Sequence, residues 1–224
     1  MKTMICLILD RSGSMGGREN DVVGGVNAFI ADQKKLPDPA SIAMVRFDTE
    51  SIERFRPMQA LAEMQPITLA DYQPRGGTPL LDAIGQTLTA LDDDWKREQP
   101  ERAIVVIVTD GEENSSREFK KARIKEMIQS RQDSGKWAFI YLAANVDAFV
   151  EGAGMGIAMA NTAGYQNTAK GIQTAYASLS GATMSMRSTG SMSAPNLGRD
   201  LGEDDDQTQT WTAPQAAGPW TLPQ

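Results

Sequence analysis

Asp10-Arg11-Ser12-Gly13-Ser14 follows directly on the apolar run 4–9, so a buried strand ends on a carboxylate and two hydroxyls. A tight turn there aims their oxygens at one point. Two later segments offer oxygens from the same kind of position: Gly76-Gly77-Thr78-Pro79, and Thr109-Asp110-Gly111 at the end of the apolar run 103–108. In an open α/β sheet the loops leaving the carboxyl ends of the strands meet at a topological switch point, which lets residues far apart in sequence converge. Hard divalent cations take oxygen ligands, and Mg²⁺ keeps several waters in a near-octahedral shell. Two carboxylates, Asp10 and Asp110, with three hydroxyls, Ser12, Ser14 and Thr78, make a donor set of that kind. With so little negative charge around it, the cation remains a Lewis acid towards an outside carboxylate. Each motif alone is ordinary turn or cap chemistry; their joint occurrence at three strand ends points to a metal site.

Composition removes competing chemistries. The chain has no histidine, which excludes a Ser-His-Asp relay and His-based zinc or iron sites. Its one cysteine, Cys6, lies inside the first strand and reads as a small buried apolar residue. A net charge of −7, much of it carried by Asp200, Glu203, Asp204, Asp205 and Asp206, disfavours a nucleic-acid surface, which needs a Lys/Arg footprint. The N-terminal apolar run is too short for a signal segment or a membrane span, so a cytoplasmic location is expected and no membrane partner.

The elements that must position the oxygens alternate between strands and amphipathic helices. Val22, Val23, Val26, Phe29 and Ile30 recur at helical spacing before Pro37-Asp38-Pro39. Residues 41–47 read as a strand, and 51–58, which alternate and carry Pro57, as its antiparallel edge partner. Thr78 is expected to cap a helix with Pro79 in its first turn and Leu80, Ile84, Leu88 and Leu91 buried. Ser115 and Glu118 have capping-box spacing ahead of a face formed by Phe119, Ala122, Met127 and Ile128. A strand at 137–143, a short helix near 147–152, a weak strand at 157–160 and a last helix burying Ala169, Ile172, Tyr176 and Leu179 complete the pattern. The predicted fold is α/β, a three-layer, doubly wound, mostly parallel sheet with one antiparallel edge strand. Residues 1–187 form the domain; residues 188–224 are polar, acidic and rich in Pro, Gly, Ser and Thr, and read as a disordered tail. Trp211 and Trp220 interrupt that polar texture.

Taken in order, Asp10-Arg11-Ser12-Gly13-Ser14-Met15, Gly77-Thr78-Pro79 and Thr109-Asp110-Gly111 closely resemble the metal-ion-dependent adhesion site (MIDAS) of von Willebrand factor type A (VWA) domains, and most of all their stand-alone bacterial or phage members. The likeness runs from about residue 2 to 186. It implies that Ser12, Ser14 and Thr78 are hydroxyl ligands and that Asp10 and Asp110 bind directly or through water. Mg²⁺ is the expected ion, with Mn²⁺ or Ca²⁺ as alternatives. Gly13 and Gly111 are expected to supply unusual backbone conformations, Asp21 and Asp82 to favour helix N-termini, and Asp48 to sit in an outer shell.

The implied function is a non-catalytic, cation-dependent module that captures a protein partner through an Asp or Glu carboxylate. The alternative is a metal-dependent hydrolase of a phosphate or similar ester, in which Glu112 or Glu113 would have to act as base. Self-association is a further option, with one of the tail carboxylates 203–206 reaching the site of the same or a neighbouring molecule.

Overall fold

The computed structural model describes residues 1–144, 147–194, 197 and 200–201. Seven strands, β1 (Thr3–Asp10), β2 (Ala40–Phe47), β3 (Ile52–Ala60), β4 (Arg102–Thr109), β5 (Trp137–Ala143), β6 (Thr162–Tyr165) and β7 (Asp200–Leu201), form one sheet in the order β3-β2-β1-β4-β5-β6-β7. All neighbours are parallel except β2 and β3, which are antiparallel. The helices are α1 (Glu19–Gln33), α2 (Leu80–Glu98), α3 (Lys121–Gln132), α4 (Ala148–Gly154) and α5 (Ala169–Thr189).

Period-two alternation along buried strands divides the core. Ile5, Leu7 and Leu9 of β1 face one layer with Val26 and Phe29 of α1 and Ile172 and Leu179 of α5. Met4, Cys6 and Ile8 face the other, with Ile84 and Leu88 of α2 and Ile124 and Ile128 of α3. Each such side chain taken fully out of water stabilises the fold by roughly 1.5–3 kcal/mol. Burial pushes the Cys6 thiol up to about 12, in keeping with its role as an apolar filler. Pro57 is exposed on β3, the sheet edge, where its missing N–H costs nothing.

The structure departs from expectation at five places. The weak strand expected at 157–160 is instead irregular backbone at 157–158 and a 3-10 turn at Met159–Asn161, and the strand forms at Thr162–Tyr165. Its four residues are buried on both faces, so no alternation marked it, and Gly152 of α4 lets Thr162 approach closely. Pro79, not Thr78, flanks the start of α2. Helix α3 starts at Lys121 rather than behind a Ser115 cap, leaving Ala122 exposed and Ile124 buried. Ala169 is also exposed on α5. At the C-terminal end, α5 runs on through Thr189, Ala194 packs on the core, and Leu201 joins the sheet against Tyr165. The acidic run 203–206, Trp211 and Trp220 lie outside the described residues.

Loop 115–120 does not become helix because other groups take its N–H donors. The buried Asp82 carboxylate accepts from the N–H groups of Arg117 (2.7 Å), Glu118 (2.9 Å) and Phe119 (2.7 Å), and Ser116 Oγ accepts from Asp82 N–H. This latch holds the β4–α3 connection against α2, with the Phe119 ring seated over Gly85. Asp82→Ala is expected to lower unfolding free energy by about 2–3 kcal/mol, since charged-acceptor hydrogen bonds are each worth roughly 1.5–3 and water replaces part of them. Denaturant titration measures that loss, and amide hydrogen exchange should speed up first at 117–119.

Candidate metal centre

The chain order turns back at β1: β2 and β3 lie on one side of it and β4 onward on the other, so the loops after β1 and β4 open a crevice. The parallel register sets Leu9 beside Val108, which leaves Asp10 and Thr109 as neighbours at the rim. Asp10 Oδ2 accepts the Thr109 hydroxyl at 2.5 Å and its Oδ1 accepts the Ser12 N–H at 2.7 Å. Across the crevice the Ser14 hydroxyl donates to Asp110 Oδ1 at 2.7 Å, and Ser12 Oγ lies 3.0 Å from Ser14 Oγ. A Cβ placed on Gly111 would stand 3.6 Å from Thr78 Oγ1 and 3.7 Å from Ser14 Oγ, so both hydroxyls flank the same backbone. All five expected residues thus lie around one crevice, Asp10 at the end of β1 and the other four on the turns and loops that follow the strands.

Burial raises the Asp10 carboxyl to about 6, against hydrogen bonds from Thr109 and Ser12 that lower it, and the charge of Asp110 adds to the rise. Burial also raises Asp110, against hydrogen bonds from Ser14 and from Asn167 Nδ2, the latter at 2.8 Å. Two carboxylates held partly out of water beside each other form a site whose electrostatics a cation relieves. Among the described residues no group of three or more His, Cys, Asp or Glu side chains forms a cage, so a cation here would depend on the hydroxyls of Ser12, Ser14 and Thr78.

The supporting groups are ones the motifs did not reveal. The Tyr72 hydroxyl donates to Asp10 O, and the Tyr165 hydroxyl to Thr109 O at 3.0 Å, so each strand end is tied down by a buried phenol. Asn114 Oδ1 accepts from Thr78 N–H at 2.9 Å, which joins the second and third motifs. Glu113 is consumed: its oxygens accept from the N–H groups of Leu81, Ser115 and Ser116 and from the Ser116 hydroxyl. Glu112 is exposed. Thr109 alone carried a signal, as the hydroxyl preceding Asp110 at a strand end.

The glycines act differently from expectation. Neither Gly13 nor Gly111 has a positive φ; the left-handed residue is Gly76, at φ 62°, where a Cβ would also meet Thr49 Oγ1 at 2.2 Å. Gly13 N–H donates to Gly76 O and Arg75 N–H to Arg11 O, each at 2.9 Å, which locks the Thr78 loop against the first turn.

Asp48 serves the same lock instead of an outer metal shell. It pairs with the buried Arg11 at 2.5 Å and with Arg75 at 3.1 Å. Burial alone would raise its carboxyl, but hydrogen bonds from Glu50 N–H, Arg75 and Ser51 N–H, with the charge of Arg11, outweigh burial and hold it below its ordinary value. Its contribution is therefore complete above the unfolded carboxyl value of about 3.9 and disappears as pH falls through the lower folded one. Asp48→Asn is expected to flatten the acid limb of stability against pH. Asp48→Ala, which strands the Arg11 charge, should cost about 3–5 kcal/mol at neutral pH by denaturant titration.

The sequence model of the von Willebrand factor type A domain matches residues 5–113. No curated protein matches the chain. Among solved structures, a von Willebrand factor type A protein from Catenulispora acidiphila superposes with a TM-score of 0.57 at 19% identity, over 82% of this chain and 43% of that one. This chain thus spans less than half of that protein. The SpRpn10 VWA domain gives 0.56 at 9% identity, over 80% of this chain and 95% of that one. Manganese-loaded TRAP protein of Plasmodium vivax gives 0.44 at 18% identity, over 64% and 57%. The matched segment holds the motifs at the ends of β1 and β4 and the start of α2, and the sheet that carries them has the neighbours' fold: over residues 5–113 the chain is similar in sequence to the von Willebrand factor type A domain, and its fold is that of such domains.

Proposed function

We propose that the chain is a divalent-cation-dependent protein-binding module. Asp10, Ser12, Ser14, Thr78 and Asp110 would hold Mg²⁺, or Mn²⁺ or Ca²⁺ in its place, and the bound ion would supply a Lewis-acidic position for an Asp or Glu carboxylate of the partner. The observation that carries this reading is the run of oxygens from Ser12 through Ser14 to Asp110, at 3.0 and 2.7 Å, beside a second buried carboxylate. Hydroxyl ligands leave the ion's charge less neutralised than a carboxylate cage would, which favours an acidic partner. The similarity of residues 5–113 to the VWA domain points the same way, because VWA domains are in general interaction modules and often use a metal. Residues 1–187 would form the binding domain and 188–224 a tail, of which Ala194 and Leu201 pack on the core. Among the described residues no helix is long and apolar enough to cross a membrane, and a cytoplasmic role is part of this proposal.

The hydrolase reading finds less support. Of the two candidate bases, Glu113 is spent on loop N–H groups and Glu112 is exposed. A phosphatase and nuclease screen in Mg²⁺ and Mn²⁺, with Asp110→Ala as control, is expected to give no Asp110-dependent turnover.

Mg²⁺ at a hundred times its dissociation constant should add about 3 kcal/mol to unfolding free energy through selective binding to the native state. Calorimetry in EDTA and then in Mg²⁺ checks this, and Ser12→Ala with Ser14→Ala should abolish the difference between the two conditions, whatever the EDTA value loses with the Ser14 bond to Asp110. Partner capture from host lysate should disappear in EDTA and in that double variant. Capture that persists under both conditions would overturn the metal-dependent reading.

A further inference from the structure

The layer formed by α1 and α5 is open on its outer side. A groove of about 760 Å³ runs between the two helices, from Asn20 and Lys170 at the rim end to Lys35 and Met184 at the far end. Along α1 that is fifteen residues, or about 22 Å at 1.5 Å per residue. Its walls include Gly24, Ala28, Ala177 and Gly181, and a Cβ placed on Gly24 or Gly181 would meet nothing within 4 Å. Small residues along both walls leave room for a large side chain that this part of the fold does not supply. A helix-interior glycine costs about 1 kcal/mol relative to alanine, and each wall carries one that borders open space.

The chain itself carries a matching occupant. Leu201 pairs with Tyr165 at the carboxyl end of β6, and α5 begins four residues after Tyr165, so the chain leaves the described fold at the rim end of the groove. Twenty-three residues follow, polar apart from Trp211, Trp220 and a few small or aliphatic side chains. Trp211 is ten residues beyond Leu201, a reach of up to about 33 Å, enough to enter a groove about 22 Å long. Lys170 and Asp21 both line the mouth that the carboxylates 203–206 would pass, so reach and the polar character of the tail, not net charge, select the occupant. Two of the four tryptophans, the half-buried Trp95 and the buried Trp137, stack on each other with centroids 5.0 Å apart.

We propose that the C-terminal segment 207–220 of the same chain docks in the groove between α1 and α5, passing Gly24 and Gly181, with Trp211 seated between them over Ala28 and Ala177. The tether supplies an effective concentration in the millimolar range or so, and even a weak contact is then occupied. The groove is separate from the Asp10 and Asp110 crevice, and the proposal does not rest on metal binding there.

The test uses the full chain labelled with 5-fluorotryptophan, the Trp211 resonance being assigned by Trp211→Phe and its exposure read with a soluble gadolinium chelate. The expected result is a Trp211 signal broadened several-fold less than that of a free peptide of residues 202–224, at every protein concentration. Gly24→Gln and Gly181→Gln each fill open space on an exposed helix surface, so they should fold at least as stably by thermal melting while restoring the peptide's exposure to Trp211. Equal exposure in the chain and in the peptide would overturn the proposal, as would shielding that both glycine variants leave intact. Shielding that grows with protein concentration, together with a dimer in sedimentation, would assign the groove to the tail of a second copy and overturn the same-chain assignment.

Discussion

Two carboxylates held partly out of water at the ends of adjacent parallel strands are the constraint around which the rim is organised. Left alone, Asp10 and Asp110 repel each other and resist ionisation, so the fold surrounds them with donors: Thr109 and Ser12 on one, Ser14 and Asn167 on the other. Strand register makes this possible, because only the pairing of Leu9 with Val108 brings Asp10 level with Thr109. A one-residue slip would turn every side chain of β1 to the opposite face and carry the carboxylate away from the crevice.

Three other acidic groups near the rim are spent on architecture. Asp48 clamps Arg11 and Arg75, Asp82 collects three N–H groups of the loop after β4, and Glu113 satisfies the start of α2 together with its own turn. Each converts a loop that would otherwise be mobile into a fixed wall. The carboxylates at the crevice therefore stand on pinned backbone, and the hydroxyls of Ser12, Ser14 and Thr78 are positioned by these clamps as much as by their own turns. Pre-positioning of this kind reduces the ordering that a ligand would otherwise have to supply.

The two helical layers are finished differently. On the α2 and α3 side, polar latches and the Phe119 ring over Gly85 close the layer. On the α1 and α5 side, Gly25 admits the Tyr176 ring between the helices, yet the outer surface stays open at Gly24 and Gly181. The open groove begins at the same rim as the crevice, since both helices start where their preceding strands end.

Much was legible in the sequence because burial on both faces makes parallel strands continuous apolar runs, and helices with one buried face repeat every three to four residues. That periodicity located β1, β2, β4, β5 and most of α1, α2 and α5, and the oxygens at the strand ends marked the crevice. The short β6 escaped because Thr162, Ala163, Gly164 and Tyr165 are buried without being strongly apolar. A capping box was read at Ser115 where local spacing allowed it, but Asp82, more than thirty residues earlier, captured the donors that would have started the helix. The sequence by itself determined which residue types reach the rim and in what order. Only the tertiary structure decided which carboxylates face the crevice and which serve as clamps, because that division depends on contacts across strands and loops that no local pattern records.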